Sequence, residues 1–298
     1  MAFDAAAAVG WEHRPQLRQP VMIVAFEGWS DAGDAASLAA RYLAEAWSLR
    51  RFAGIDPEEF FDFTSTRPEV HFDADNQRRI DWPENMLLAG RIPGASRDAI
   101  ILRGVEPHLR WRAFGSTVIG IAHTLGVQML LTLGALLADV PHTRPVPVAG
   151  AAYEPAIASR FGLPVSRYEG ETGILGVLHD ACARAGIPSV GLWASVPHYV
   201  HQVTSPKAAL ALVERAALML GTAVDPVELR AAGEVYLQQV SEHVADDVEA
   251  AAYVAQLEEA ADRQAAEAPP EGLPIASGDS LAAEAQRYLR EHRRDGPR

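Results

Sequence analysis

Short apolar runs alternate with segments of helical periodicity through the first two thirds of the chain, and this alternation restricts the fold more than any other feature. The apolar runs lie at 21–26, 98–103, 127–133, 145–149 and 189–195. The helical patterns lie at 31–48, 110–125, 154–161 and 173–185. Because strands that alternate with helices build parallel sheets, the sequence predicts an α/β domain with a mostly parallel sheet.

Residues 60–90 interrupt this alternation. They mix aromatic and β-branched residues with polar turn residues, as in "FFDFTSTRPEVHF" and "ENMLLAG". Strand-forming residues separated by short polar turns favour local antiparallel pairing. We expect an antiparallel excursion or a hairpin at the edge of the sheet.

The chain changes character after Gly221. One apolar stripe follows Asp225-Pro226 and comprises Leu229, Gly233, Tyr236, Leu237, Val240 and Val244. A second comprises Ala251, Val254, Leu257 and Ala261, and the acids at 246–249 can cap the helix that carries it. We therefore predict an α/β domain over 1–221 and a helical hairpin over 222–267. A Pro/Gly linker and a small terminal helix should follow over 268–298.

Composition excludes several classes of protein. The net charge of −13, with 39 acids against 26 bases, argues against nucleic-acid or anionic-membrane partners. Cys182 is the only cysteine, so neither a disulfide framework nor a cysteine-rich zinc site is expected. The uncharged stretch 113–138 is long enough to span a bilayer. Its four glycines favour a helix end, a turn and a buried strand instead. The first residues lack a basic region followed by an apolar core, so we expect no secretory signal there and a cytoplasmic location.

The stretch "EGWSDAG" lies where the first predicted strand turns into a helix. Asp31 can accept hydrogen bonds from the free N–H groups of that helix. Gly28 and Gly33 permit a tight turn. The same loop could instead hold a ligand, because ligand sites of α/β proteins form at the carboxyl ends of strands.

Four polar clusters follow four of the predicted strands. If these strands are parallel, the clusters share one rim of the sheet and could form one pocket, although any member alone could be a solvated loop residue. The candidate rim residues are Glu27, Asp31, Glu106, His108, Arg110, Arg112, His142, Arg144, His198 and His201.

Motifs for specific chemistry are missing from the sequence. No Lys-Ser/Thr follows the Gly28–Gly33 spacing, and no G-x-G-x-x-G, G-x-S-x-G or H-E-x-x-H occurs. The rim histidines are too generic to predict a metal site. Lys207, the only lysine, opens a helix and is expected on the surface. No catalytic residue, cofactor or metal is therefore assigned.

Several motifs together resemble the proteasome assembly chaperone 2 family, in its actinobacterial branch. They are "FEGWSDAG", "GVEPHLRW", "PHTRPVPV", "SVGLWASVPHYV", "SPKA" and "YVAQLEEAAD". The resemblance implies a three-layer, phosphorylase/hydrolase-like α/β fold with an appended helical region. It also implies kinship with ATP-independent chaperones that bind proteasome subunits. Those relatives dock through a hydrophobic-Tyr-X tail, whereas this sequence ends in Asp-Gly-Pro-Arg.

Two functions follow from the residues and the resemblance. The first is a non-enzymatic assembly protein that binds other proteins, with proteasome subunits as possible partners. It should self-associate as a trimer, or failing that as a dimer, through the helical appendage or the sheet rim. The alternative is a phosphorylase- or hydrolase-type enzyme that acts on a small molecule at the rim, because the fold alone does not decide between them.

Overall fold

The computed structural model describes residues 7–267. Within that range the strands are β1 Val9–Trp11, β2 Val21–Glu27, β3 Arg50–Ile55, β4 Glu69–Phe72, β5 Arg78–Asp81, β6 Asn85–Arg91, β7 Asp98–Val105, β8 Met129–Ala138, β9 Val148–Ala152 and β10 Ser189–Pro197. The helices are α1 Ala35–Ala46, α2 Trp111–Leu125, α3 Pro155–Phe161, α4 Ile174–Ala185, α5 Pro206–Leu220, α6 Val227–Ala245 and α7 Val248–Glu267.

Eight strands form one mixed sheet in the order β1-β3-β6-β7-β2-β8-β10-β9. The four adjacent strands β7, β2, β8 and β10 are parallel to one another. The pairings outside them are antiparallel. Five of the eight strands consequently run in one direction, because β3 regains the direction of β7 through two antiparallel steps. The predicted α/β class and mostly parallel sheet are confirmed.

Helices cover both faces of the sheet. Along β2, Val21 and Ile23 face the side that carries α1 and α5. Met22 and Val24 face the side that carries α2 and α4. This alternation follows from the period of two along a strand, and both faces are apolar because both are buried. The result is three layers: helices, sheet and helices.

The 60–90 segment contains the expected antiparallel structure in two parts. Strands β4 and β5 pair as a separate two-stranded sheet. Strand β6 instead joins the main sheet between β3 and β7. The sequence analysis predicted neither β1 nor β3. Strand β3 begins with Arg50 and Arg51 and lacks a long apolar run.

The stretch 113–138 forms most of α2, a turn at Gly126 with a φ of 68°, and β8. The sequence interpretation of this stretch is thus correct. Among the described residues, no helix is both long and apolar enough to cross a membrane.

The last two described helices pack onto the α/β domain. The stripe of α6 is buried at Leu229, Tyr236, Val240 and Val244, and Val254 of α7 is buried beside it. Asp247 caps α7 by accepting from the N–H groups of Glu249 and Ala250, at 2.9 and 3.2 Å. These stripe residues are therefore covered within the chain, whereas Val227, Val235 and Val248 of the same two helices are exposed. The predicted linker and terminal helix lie outside the described residues.

Candidate functional site

A cavity of about 480 Å³ lies at the carboxyl ends of β2, β8 and β10. The loop from Gly28 to Asp34 forms one side, and the start of α4 with the loop before it forms another. Much of the remaining wall is aromatic. The four rings that line the cavity belong to Trp29, Tyr153, Tyr168 and Trp193. Concave, mostly apolar pockets with a few polar groups are the usual form of small-molecule sites.

Asp31 connects this cavity to α1. Its Oδ1 accepts from the backbone N–H groups of Ala36 and Ser37, at 2.6 and 3.1 Å. The predicted capping role is therefore present, although the acceptor lies further from the helix than a standard N-cap. The chain turns tightly between β2 and α1 because Gly28 and Gly33 have φ values of 124° and 58°.

The second carboxylate oxygen of Asp31 has a different environment. Oδ2 is buried and has no hydrogen-bond partner, and the Oγ of Ser30 beside it is also buried without one. Burial raises the pKa of Asp31 to about 6, since the charged form loses hydration that the cap does not fully replace. A buried carboxylate with one oxygen unpaired is energetically costly, which makes it a candidate functional group.

The aromatic wall depends on two close contacts. A Cβ at Gly134 in β8 would lie 2.6 Å from the ring of Trp193 in β10, so only glycine lets that indole lie against the neighbouring strand. Tyr153 stacks on His179 at 3.8 Å between ring centroids. The Nε2 of His179 is 2.9 Å from the Thr132 hydroxyl, and burial lowers the pKa of this histidine to about 3. The ring behind Tyr153 is therefore neutral.

Of the predicted rim residues, Asp31 and His201 line the cavity. Glu106 lies next to it, where its Oε1 accepts from the N–H of Ile174 at 2.9 Å and so caps α4. Glu27 is exposed at the end of β2, and its backbone carbonyl accepts from the N–H of Glu106 at 2.9 Å.

A second group of rim residues contacts the segment after β3. The Nδ1 of His108 accepts from the backbone N–H of Asp62 at 3.1 Å. Arg110 forms an ion pair with Glu59. Arg112 is exposed on the first turn of α2. His108 and Arg110 therefore hold the 57–66 segment against the end of β7.

A third group lies under α6 and α7. The ring nitrogens of His142 are 2.8 Å from the Tyr199 hydroxyl and 3.1 Å from that of Ser241. Arg144 forms two hydrogen bonds to Asp262, at 2.8 and 2.9 Å. His198 lies 3.0 Å from Asp139. Burial lowers the pKa of His142, and the Lys207 ammonium lowers it further.

Lys207 does not lie free on the surface as predicted. Its Nζ donates to the backbone carbonyls of His142 and Arg144. The side chain crosses from the first turn of α5 to the loop after β8, and burial lowers its pKa. A sequence interpretation based on helix position alone could not show that this loop passes over the start of α5.

The four clusters share one edge of the sheet, but the structure does not join them into one pocket. Asp31 and His201 line the cavity, whereas the other candidate rim residues are not among the described residues that line it. The 57–66 segment covers one part of this edge, and α6 and α7 cover another. The expectation of a single concave site is corrected for this reason.

Most of the cavity lining was not predicted. The loop at 28–34, which contains Ser30, was offered as a possible ligand loop, whereas Tyr153 and Tyr168 lie in none of the motifs and Trp193 was expected only as part of a strand. One usable signal was Gly134, because a glycine inside a strand often marks a close approach by another group. Among residues 7–267 no group of three or more His, Cys, Asp or Glu side chains is arranged to hold a metal ion.

A model of the PAC2 family matches residues 25–244. The chain belongs to the PAC2 family. It is 45% identical to a PAC2 family protein of Streptomyces avermitilis, covering 79% of this chain and 99% of that one, with a TM-score of 0.74. The identity is also 45% to a proteasome-assembly chaperone homologue of Mycobacterium tuberculosis, covering 78% of this chain and 99% of that one, with a TM-score of 0.71.

A third solved structure covers more of this PAC2 family chain. It is a Mycobacterium tuberculosis protein of unknown function with 31% identity and a TM-score of 0.79, covering 95% of this chain and 96% of that one. Curated protein sequences gave no match. The resemblance stated from the sequence motifs is confirmed, and the actinobacterial sources of these structures agree with the branch that the motifs indicated.

Proposed function

We propose that this PAC2 family chain is a protein-binding assembly factor with a chaperone-like role, and that its partners are proteasome subunits. The observation that carries the proposal is the 45% identity to a proteasome-assembly chaperone homologue over 99% of that chain. We further propose that the α/β core is of the phosphorylase/hydrolase-like type and that the protein acts in the cytoplasm. On this proposal the chain acts by binding other proteins rather than by catalysis.

The surface best suited to a protein partner is the β4–β5 hairpin. Val70 and Phe72 of β4, Ile80 of β5 and Trp82 just after β5 are 50%, 64%, 42% and 50% exposed. Val70 lies opposite Ile80 in the register, so these side chains share one face. Clustered exposed apolar residues on a soluble protein mark interaction surfaces. We define these four residues as the hairpin face.

The opposite face of the same hairpin offers a matched control. Glu69 and His71 alternate with Val70 and Phe72 and are exposed on the charged face. Substitutions there change the same strand and the same number of residues without removing apolar surface. A V70S/F72S double variant should therefore lose partner binding, whereas an E69S/H71S double variant should retain it.

The test is co-sedimentation of the full chain with purified, unassembled proteasome subunits of Mycobacterium tuberculosis. We expect a complex with the natural sequence and with E69S/H71S, and a loss of at least about tenfold in affinity with V70S/F72S. Circular dichroism of each variant checks that the hairpin change leaves the core folded. No complex with any proteasome subunit would remove the proposed partner. Equal partner binding by both double variants would show that the hairpin face is not the binding surface.

Self-association belongs to the same proposal, with a trimer as the first candidate and a dimer as the second. We propose that α6 and α7 form a helical hairpin that provides the contact between copies, through exposed residues that include Val227, Val235 and Val248, and that the hairpin face of β4–β5 is left to the partner. A lasting contact needs about 1,000 Å² or more of buried surface. The net charge of −13 should make assembly tighten as salt screens repulsion. Sedimentation equilibrium at several salt concentrations tests this. A monomer at every salt concentration would exclude self-association.

A further inference from the structure

The cavity wall contains two polar side chains whose bonding potential is unused. Ser30 and Asp31 are 2% and 6% exposed, and both line the cavity. The Oγ of Ser30 and the Oδ2 of Asp31 are buried without partners. Buried polar atoms in folded proteins nearly always have a partner. These two atoms, adjacent in the wall of one cavity, offer an occupant hydrogen bonds that the chain leaves unmade.

The charge of the cavity selects the kind of occupant. Asp31 and Asp34 line it, and His201 is the one basic side chain among the described lining residues. Two helices begin at this cavity, and an N-terminus commonly attracts an anion. Here, however, Asp31 already caps α1 and Glu106 already caps α4. A phosphate or carboxylate would therefore face acids and find both helix ends occupied.

The rings select the shape of the occupant. Trp29 is 54% exposed on the cavity wall, and Trp193 and Tyr153 are each partly buried. Flat aromatic surfaces attract both planar apolar groups and organic cations. We infer that this cavity binds a small organic cation of the amine or amidine class, with a flat apolar body between the rings and its N–H groups toward Asp31 and Ser30. This inference goes beyond the assembly function and does not depend on it.

Three probes of nearly equal size separate charge from shape. Benzamidine is a flat cation with N–H donors, benzamide is its neutral counterpart and benzoate is its anionic one. Binding to the full chain is measured at neutral pH by tryptophan fluorescence and by ligand-observed NMR. We expect benzamidine to bind about tenfold or more tightly than benzamide, and benzoate to bind least of the three. Equal binding of the three probes, or no saturable benzamidine binding, would overturn the inference.

Two variants place the bound cation. Asp31→Asn keeps an oxygen to cap α1 but removes the charge, so benzamidine affinity should fall about tenfold while benzamide affinity changes little. Trp29→Leu removes an exposed ring without touching the core, so the affinities for benzamidine and benzamide should fall together. Asp247→Asn is the matched control, because Asp247 also caps a helix but does not line the cavity. Unchanged benzamidine affinity in Asp31→Asn would place the cation elsewhere. The same affinity loss in Asp247→Asn would make the effect general rather than local.

Discussion

Other parts of the chain cover the carboxyl edge of the parallel strands differently in two neighbouring places. Under α6 and α7, at what we term the covered end, His142, Arg144 and Lys207 each have at least two hydrogen-bonding partners. Beyond β2, at what we term the cavity end, Ser30 and Asp31 keep buried atoms without partners. Position on the carboxyl edge is thus insufficient to define a ligand site. The difference depends on which segments of the chain cover the edge.

The same comparison separates two kinds of energetic role. At the covered end, polar contacts fix a loop and two helices, so removing them should destabilise the fold. At the cavity end, the unpaired Asp31 carboxylate costs stability, so neutralising it should stabilise the fold. The following expectations run from the largest effect to the smallest.

Ending the chain at Gly221 should damage the covered end most severely. The truncation removes α6 and α7, uncovers Val200 and leaves His142 and Arg144 without their helical partners. Newly exposed apolar surface should reduce solubility and increase binding of an apolar dye. Soluble yield and dye fluorescence measure this. A truncated chain as soluble and as compact as the full one would show that the two helices are dispensable.

Lys207→Met should lower the free energy of unfolding by about 2–3 kcal/mol. The substitution keeps an apolar stem of similar length but leaves two partly buried carbonyls without their charged donor. Urea denaturation measures the change. The i,i+4 pair of Arg184 with Asp180 is exposed, so Arg184→Met provides a charge-loss control that should cost less than about 1 kcal/mol. Equal losses of unfolding free energy in the two variants would mean that the Lys207 contacts stabilise the fold no more than an exposed ion pair does.

Asp31→Asn should instead raise the free energy of unfolding at neutral pH, by about 1–3 kcal/mol. The amide oxygen can still accept from the N–H groups of Ala36 and Ser37, while the buried charge is gone. The same denaturation experiment measures the gain. A destabilised variant would show that the charge strengthens the cap by more than its burial costs. Polar groups would then stabilise the fold at both the covered end and the cavity end.

The pH dependence of stability should show two opposing contributions at the cavity end. The folded pKa of Asp31, about 6, lies above its ordinary 3.8, so this group adds stability as pH falls from about 6 toward 4. The folded pKa of His179, about 3, lies below its ordinary 6.5, so the stability that it confers above pH 6.5 is lost as pH falls toward 3. Each contribution has a slope of at most about 1.4 kcal/mol per pH unit.

Two variants separate these contributions. Asp31→Asn should lose stability on acidification more steeply than the natural sequence, because only the histidine contribution remains. His179→Phe, which keeps a ring against Tyr153, should lose stability less steeply. Unfolding free energies measured between pH 4 and pH 7 give the slopes. Parallel curves for all three chains would show that neither group titrates differently on folding.

The sequence predicted the layers of this fold better than its functional surfaces. Periodicity is local information, so α1 after β2 and α2 after β7 followed from it directly. The cap by Asp31 also followed, since it depends on a turn within one short segment. Strand β3 was missed because its first half is charged, and its place in the sheet depends on pairing with β6 across a long insertion.

The division of the rim could not be predicted for a similar reason. His142 and Asp31 both follow apolar strands, and nothing near either residue tells which of them a distant helix will cover. The hydrogen bonds that α6 and α7 form with this edge join residues more than 90 positions apart in the chain, as between His142 and Ser241. Stacking of Tyr153 on His179 likewise joins two elements that no local pattern connects.

The anchoring of Lys207 has a consequence for the chemical reactivity of the folded chain. This residue supplies the sequence's only side-chain amine, and that amine is held by two backbone carbonyls. Acylating reagents and amine-directed crosslinkers should label the side chain slowly in the folded state and rapidly once the loop after β8 moves away from α5. A tagging system that marks proteins for degradation through lysine would meet the same barrier. The chain is thereby shielded from lysine-directed marking for as long as it stays folded.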